Sequence, residues 1–173
     1  IGLVSASIDG WRARKRCMKQ VRRLAHTRRS KSNCSTDTQR ILYIKNNTWF
    51  GIRAGGSVGH VAGVINALSE LGHVIAFSSP ESPKYLNKEV DIVPIQMFGQ
   101  FAIPPEANLF RIHERSVAAT KLFAKSFAPT MIYQRLSIGD FAGAQLADEL
   151  GIPLIVEYNA SEVWVVENWG RKL

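Results

Sequence analysis

A chain of 173 residues with 46% hydrophobic side chains has the size and composition of one globular domain. No apolar run approaches the roughly 18–20 residues that a membrane-spanning helix needs, and residues 1–8 are too short, with no preceding basic region, for a secretory signal. The formal charge of +8 is unevenly spread: residues 1–39 hold ten Lys/Arg against Asp9 and Asp37, and residues 40–173 balance twelve against twelve, so nucleic acid is not an expected partner.

Both cysteines, Cys17 and Cys34, fall in the basic leader 1–39, so no disulfide framework is implied and a reducing cytoplasm is the expected setting. Within the leader, Trp11, Met18, Val21, Leu24 and Ala25 recur at helical spacing, with Arg12, Arg16, Lys19, Arg22 and Arg23 mostly on the other sides. Two readings stand side by side. One is a basic amphipathic helix resting peripherally on anionic lipid at the inner face of the membrane. The other is a solvated linker without fixed structure. The polar stretch 30–38 reads as a boundary. The chain opens on Ile and ends on Gly-Arg-Lys-Leu with no closing element, which reads as a piece of something longer.

From residue 40 onward, strands and helices alternate. Residues 41–45 read as a first buried strand. The helix 57–71 carries Val58, Val61, Ala62, Val64, Ile65, Leu68 and Leu71, and Gly72 stops it. Strands follow at 73–77 and 91–95, the latter ending near Pro94 because proline cannot donate to a ladder. A longer helix, 106–127, has Leu109, Ile112, Val117, Leu122 and Phe123 as expected core positions. A strand at 130–134, a helix at 138–150 stopped by Gly151, and a strand at 153–158 complete the pattern. The fold class this predicts is α/β: a Rossmann-like parallel sheet with helices on both faces, preceded by a basic leader that is helical or disordered.

Candidate chemistry sits in the loops after the strands, where an open parallel sheet binds ligands. Gly55, Gly56 and Ser57 precede the first helix of the sheet, where backbone N–H groups and the helix dipole receive an anion such as a diphosphate, and His60 lies one turn in. A plain strand-to-helix turn with Ser57 as its cap fits the same residues. Gln134 and Arg135 close the fourth strand; the guanidinium suits phosphate, carboxylate or sugar hydroxyls, or equally a structural pair with Asp140. Glu157, Asn159, Ser161 and Glu162 gather after the fifth strand, a set able to grip a polyhydroxylated substrate. Trp164 and Trp169 either stack on a sugar ring or pack on the sheet.

Several chemistries lack their residues. The glycines at 55 and 56 do not follow the i, i+2, i+5 dinucleotide spacing, and no Gly-Lys-Ser/Thr follows. No tyrosine has a lysine four positions on, as a sugar-nucleotide epimerase requires. His26, His60, His73 and His113 show no zinc spacing, so no metal is expected.

The block 40–79, with GGSVGHVAGVINALSELGH inside it, resembles the opening of family-4 glycosyltransferases of the GT-B architecture. The block 133–170 (YQRLSIGDFAGAQLADELGIPLIVEYNASEVWVVENWG) resembles the end of that family's N-terminal domain more closely. The resemblance implies domains at 1–39 (leader) and 40–173 (N-terminal, acceptor-side domain), with a C-terminal donor domain absent. It implies a hexosyltransferase-type enzyme, inactive as this piece alone, that moves a sugar from a nucleotide-sugar donor to a glycan or lipid-linked acceptor in polysaccharide biosynthesis. The anomeric configuration is retained, and no cofactor is used beyond the donor as substrate.

Carried onto this sequence, the resemblance implies that Gly55, Gly56 and Ser57 approach the donor diphosphate, and His60 matches a histidine common just after that loop. The chemistry of the residues adds the expectation that Arg135 and Glu157 serve the reaction and that Gln134, Asn159 and Glu162 hold the acceptor. Two positions depart from the family pattern: Gln134-Arg135 stands where many relatives have a catalytic-site histidine, and Tyr158-Asn159 replaces an aromatic-His pair. The competing reading is a non-catalytic Rossmann-like module that binds a nucleotide or anion.

Overall fold

The computed structural model describes residues 2–27, 37–46, 56–80, 85–95, 105–159, 161, 164, 167 and 168. Helix α1 spans Gly2–His26, followed by β1 (Arg40–Ile44), α2 (Gly56–Glu70), β2 (Val74–Ser79), β3 (Asp91–Pro94), α3 (Pro105–Phe127), β4 (Met131–Arg135), α4 (Ala142–Leu150) and β5 (Leu154–Glu157). The strands form one parallel sheet in the order β3-β2-β1-β4-β5. The chain winds outward from β1 to β3, then crosses back to β4 and continues the other way. The reversal falls between β1 and β4, the switch point at which open α/β sheets take their ligands.

Period-two alternation sorts the strand residues onto two cores. Leu42, Ile44, Ala76, Val93 and Ile132 face one way, against Val117, Ala124 and Phe127 of α3 and Ala142, Leu146 and Ala147 of α4. Ile41, Tyr43, Ile75, Phe77 and Met131 face the other way, against Val61 and Ile65 of α2. Helices therefore cover both faces of the sheet, as the sequence predicts. Gly72 and Gly151 end α2 and α4 with φ of 86° and 68°, the left-handed geometry that a side chain would strain.

Several differences from expectation lie at element ends. Helix α4 begins at Ala142, not 138, because residues 137–140 form a tight turn closed by a Ser137–Asp140 bridge with Gly139 at φ 71°. Arg135 lies inside β4, in register with Glu157 of β5. Leu71 and Leu122, both expected in the core, are exposed: Leu71 lies just past the end of α2, and Leu122 faces solvent from α3.

The leader takes the helical alternative, and it packs on α3 and α4 rather than standing away from the domain. Its contact face is not the apolar stripe read from the sequence. The buried positions are Gly10, Ala13 and Cys17, whose small side chains let the two helix backbones approach, while Trp11, Met18 and Val21 are exposed. Two ion pairs flank the seam: Arg16 Nε and Nη2 fork onto the Glu114 carboxylate at 2.6 and 2.8 Å, and Arg23 Nη2 meets Asp148 Oδ2 at 2.9 Å.

Cys17 reports on this docking. Burial, with the nearby Glu114 carboxylate, pushes its thiol up to about 11, and its Sγ lies 3.8 Å from the Phe110 carbonyl. In a Cys34→Ser background, Cys17 is expected to resist a neutral-pH disulfide reagent until the chain is unfolded by denaturant. Immediate stoichiometric reaction in the native chain would show that α1 is not docked.

Candidate functional site

The carboxyl ends of β1, β4 and β5 bring one carboxylate to the centre of a polar cluster on the α2 side of the sheet. Residues 43, 133, 135 and 157 share that face by strand alternation, and the register sets Tyr43 beside Tyr133 and Arg135 beside Glu157. Glu157 Oε2 accepts from the Tyr43 hydroxyl at 3.0 Å and the Tyr133 hydroxyl at 3.3 Å. Its Oε1 accepts from Arg135 Nη1 at 2.5 Å and Asn159 Nδ2 at 2.5 Å. His60 Nε2, from the first turn of α2, reaches the same oxygen at 3.0 Å.

Each partner is held by its own packing. The Tyr43 and Tyr133 rings stack with centroids 4.8 Å apart at 13°, and Phe77 meets Tyr43 edge-on at 5.6 Å. The two phenols thus enter the cluster as a rigid pair of donors. Burial is the largest influence on Glu157 and favours its neutral form. Hydrogen bonds from Asn159 and Tyr43 and the positive neighbours Arg135 and His60 outweigh it, so the carboxyl sits below its ordinary range. Burial, together with the Glu157 charge, raises both tyrosines above the usual phenol value. At neutral pH the cluster is therefore an ionised carboxylate that accepts from two protonated phenols, a guanidinium and an amide.

The opposite face of the switch point is tied by a second polar group that serves the frame. Ser137 Oγ donates to the Asn46 carbonyl at 2.6 Å, joining the segments after β4 and β1, and Asn46 Nδ2 donates to Ser116 Oγ of α3. His113 Nδ1 and Asp140 Oδ1 lie 3.3 Å apart, and the His113 ring stacks on Phe141 with centroids 3.8 Å apart. Asp140 Oδ1 also accepts from the Ala142 N–H at the start of α4. These buried bonds fix α3 and α4 against the strand ends.

Of the sequence-predicted site residues, His60, Arg135, Glu157 and Asn159 converge. Gly56 and Ser57 open α2 and are exposed, one turn before His60. Gln134 does not join them. It faces α4, is buried, and uses both ends of its amide internally: Nε2 donates to the Asp140 carbonyl at 3.1 Å, and Oε1 accepts from the Gly143 N–H at 2.9 Å. Arg135 pairs with Glu157, and Asp140 with His113. Ser161 Oγ accepts from the Trp164 N–H at 3.1 Å, and Trp164 is exposed. Gly55, Glu162 and Trp169 lie outside the described residues.

Tyr43 and Tyr133 were missed by sequence reasoning. A signal existed for Tyr133: it stands two residues before Arg135, so both must share a sheet face. For Tyr43 there was none, because its place beside Tyr133 depends on strand order. Among the described residues, no group of three or more His, Cys, Asp or Glu side chains is placed to hold a metal ion. No helix among them is long and apolar enough to cross a membrane.

No protein-family model matches the chain, and no characterised protein matches it by sequence. Solved structures share its fold at low identity. Sucrose-phosphate synthase from Thermosynechococcus elongatus is 17% identical with a TM-score of 0.57, covering 73% of this chain and 34% of that one. The calicheamicin glycosyltransferase CalG4 is 16% identical with a TM-score of 0.51, covering 78% and 38%. The C-terminal domain of the PF1911 hydrogenase from Pyrococcus furiosus is 16% identical with a TM-score of 0.51, covering 74% and 99%. The chain spans little more than a third of the length of sucrose-phosphate synthase and of CalG4. What it shares with all three is the layered α/β fold.

Proposed function

We propose that the chain is the N-terminal, acceptor-side domain of a GT-B glycosyltransferase resembling family 4, completed by a C-terminal domain that binds the nucleotide sugar. The carrying observation is the Glu157 cluster: one ionised carboxylate at the switch point, contacted by His60 from the first turn of α2 and by Arg135, Asn159, Tyr43 and Tyr133. Such a ring of fixed donors and one acceptor matches the hydroxyls of a sugar, and the sequence resemblance points the same way.

In this reading the bond between the anomeric carbon and the nucleoside diphosphate breaks, and the leaving diphosphate takes the electron pair. An acceptor hydroxyl, oriented by Glu157, Arg135 and Asn159, attacks the anomeric carbon on the same face and gives its proton to the departing phosphate. No protein nucleophile is needed. Backbone N–H groups at Gly56 and Ser57, with His60, stabilise the diphosphate charge as it develops.

Gly56 offers a clean test, because a Cβ built there meets nothing within 4 Å. In an enzyme that joins this chain to its donor domain, Gly56→Val is expected to lower turnover about 100-fold while the fold survives. Unchanged turnover would remove this helix start from the mechanism. On the chain alone, a titration with nucleotide sugars and oligosaccharides followed by NMR is expected to shift the His60 and Asn159 side-chain signals. Silence at both across the panel would defeat the reading. The exposed start of α2 also fits a second reading, a Rossmann-like module that binds a nucleotide or anion without transfer, which predicts ligand shifts but no sugar transfer in any assembled form.

A further inference from the structure

The outward face of α1 is unlike the rest of the surface. Ile8, Trp11, Lys15, Met18 and Arg22 follow one another at spacings of three and four, so they form a single line along the helix. All five are exposed, with Trp11 at 56%, Ile8 at 45% and Met18 at 41%. Arg14 and Lys19 flank the line, and a shallow groove of about 430 Å³ runs between Trp11, Arg14, Lys15, Met18, Lys19 and Arg22. Lys15 Nζ lies 3.7 Å from the Trp11 ring centre, which keeps a cation above the indole.

The opposite side of the helix is already committed to α3 and α4 through Ala13, Cys17, Arg16 and Arg23. Among the described residues, Arg14, Lys15, Lys19 and Arg22 form no ion pair. A row of exposed large apolar side chains interleaved with cations that pair with no described carboxylate marks an interaction surface.

We propose that this face docks on a bilayer of anionic phospholipid, with Trp11, Met18 and Ile8 entering the headgroup boundary and Arg14, Lys15, Lys19 and Arg22 meeting lipid phosphates. The occupant follows from charge and shape. A second copy would set four cations against four cations. The rest of the chain, residues 40–173, is electrically neutral, so the positive field is concentrated on the leader side and orients the molecule. An interfacial helix combines an apolar line with Lys/Arg beside it, and indole is suited to the membrane–water boundary. Helix α1 lies over the α3/α4 layer and the Glu157 cluster on the α2 side, so docking leaves that cluster uncovered. The inference stands independently of any sugar-transfer activity.

The test is co-sedimentation of the whole chain with vesicles of phosphatidylcholine alone or with about one-third phosphatidylserine. Binding is expected only with the anionic vesicles, and it should fall steeply between about 0.1 M and 0.5 M salt. Each change of Arg14, Lys15, Lys19 or Arg22 to Gln is expected to weaken partitioning about fivefold, and the fourfold variant at least about a hundredfold. The melting temperature should hold, because these side chains make no contact with α3 or α4 that an ion pair records. Anionic vesicles should shift the tryptophan emission to the blue, and Trp11→Phe should abolish that shift. Equal binding to neutral vesicles, full binding by the fourfold variant, or a blue shift that survives Trp11→Phe would each overturn the proposal. So would displacement from anionic vesicles by duplex DNA at equal phosphate concentration, which would reassign the face to nucleic acid.

Discussion

Glu157→Ala is expected to lower the stability of the chain by about 2–4 kcal/mol, read as a fall in melting temperature of roughly 5–12 °C. The reason is what the substitution leaves behind. Five groups converge on that carboxylate, and the Arg135 side chain is only 14% exposed, so removal of the acceptor strands a half-sheltered cation and two phenols. Glu157→Gln keeps the volume and one acceptor oxygen but loses the charge, and is expected to cost about half as much. A double-mutant cycle with Tyr43→Phe should show coupling of about 1 kcal/mol, since the two side chains share a 3.0 Å bond.

The sign of the pH dependence follows from the lowered carboxyl. A group whose folded pKa lies below its ordinary value of 4.5 contributes fully above that value and loses its contribution as pH falls through the folded one. The stability gap between the native chain and Glu157→Gln should therefore be constant from neutral pH down to about 4.5 and close below it. A gap that stays flat to the acid end would show that the charge of Glu157 carries none of the effect.

Gly143→Val is expected to destabilise the chain by about 3 kcal/mol, measured by urea unfolding. A Cβ at this position would sit 2.5 Å from Gln134 Oε1 and 2.9 Å from Gln134 Cβ. Gln134 is 1% exposed and holds both the Asp140 carbonyl and the Gly143 N–H, so it has no room to swing aside. The added side chain must break that bridge or push α4 off the sheet. Gly143→Ala gains about 1 kcal/mol of helix propensity and still meets the same clash, so it should remain net destabilising. Gly63→Ala in α2 makes the contrast: nothing lies within 4 Å of its Cβ, and the same exchange is expected to stabilise. Equal responses at the two positions would mean that Gln134 is not the wedge it appears in the geometry.

The layered fold was legible in the sequence because its signals are local. Apolar residues at 61, 62, 65 and 68 can share a buried face only on a helix, and Gly72 and Gly151 mark the helix ends that adopt positive φ. The reading failed where two solutions share one local pattern. The leader's apolar line from Trp11 to Met18 is a good helix face, yet the small residues Gly10, Ala13 and Cys17 make the contact with α3. Hydrophobicity names a face that can be buried, but close helix packing selects the face that permits backbone approach. Leu122 shows the same limit on α3, where both the sheet and α1 compete for its sides.

Gln134 and Glu157 divide the candidate site the same way. Both stand at strand ends and both are polar, so the sequence treats them alike. Alternation turns Glu157 toward α2 and the open end of the sheet, and Gln134 into the contact with α4. What the amino-acid order determined by itself was the succession of strands and helices, their punctuation by glycine, and the separation of a basic leader from a neutral body. Those depend on neighbours three or four positions away. Strand order, the meeting of His60 with Glu157 across 97 positions, and the side of α1 that faces outward were decided only by tertiary packing. Contacts between distant segments are set by which faces fit together, and no local period encodes that fit.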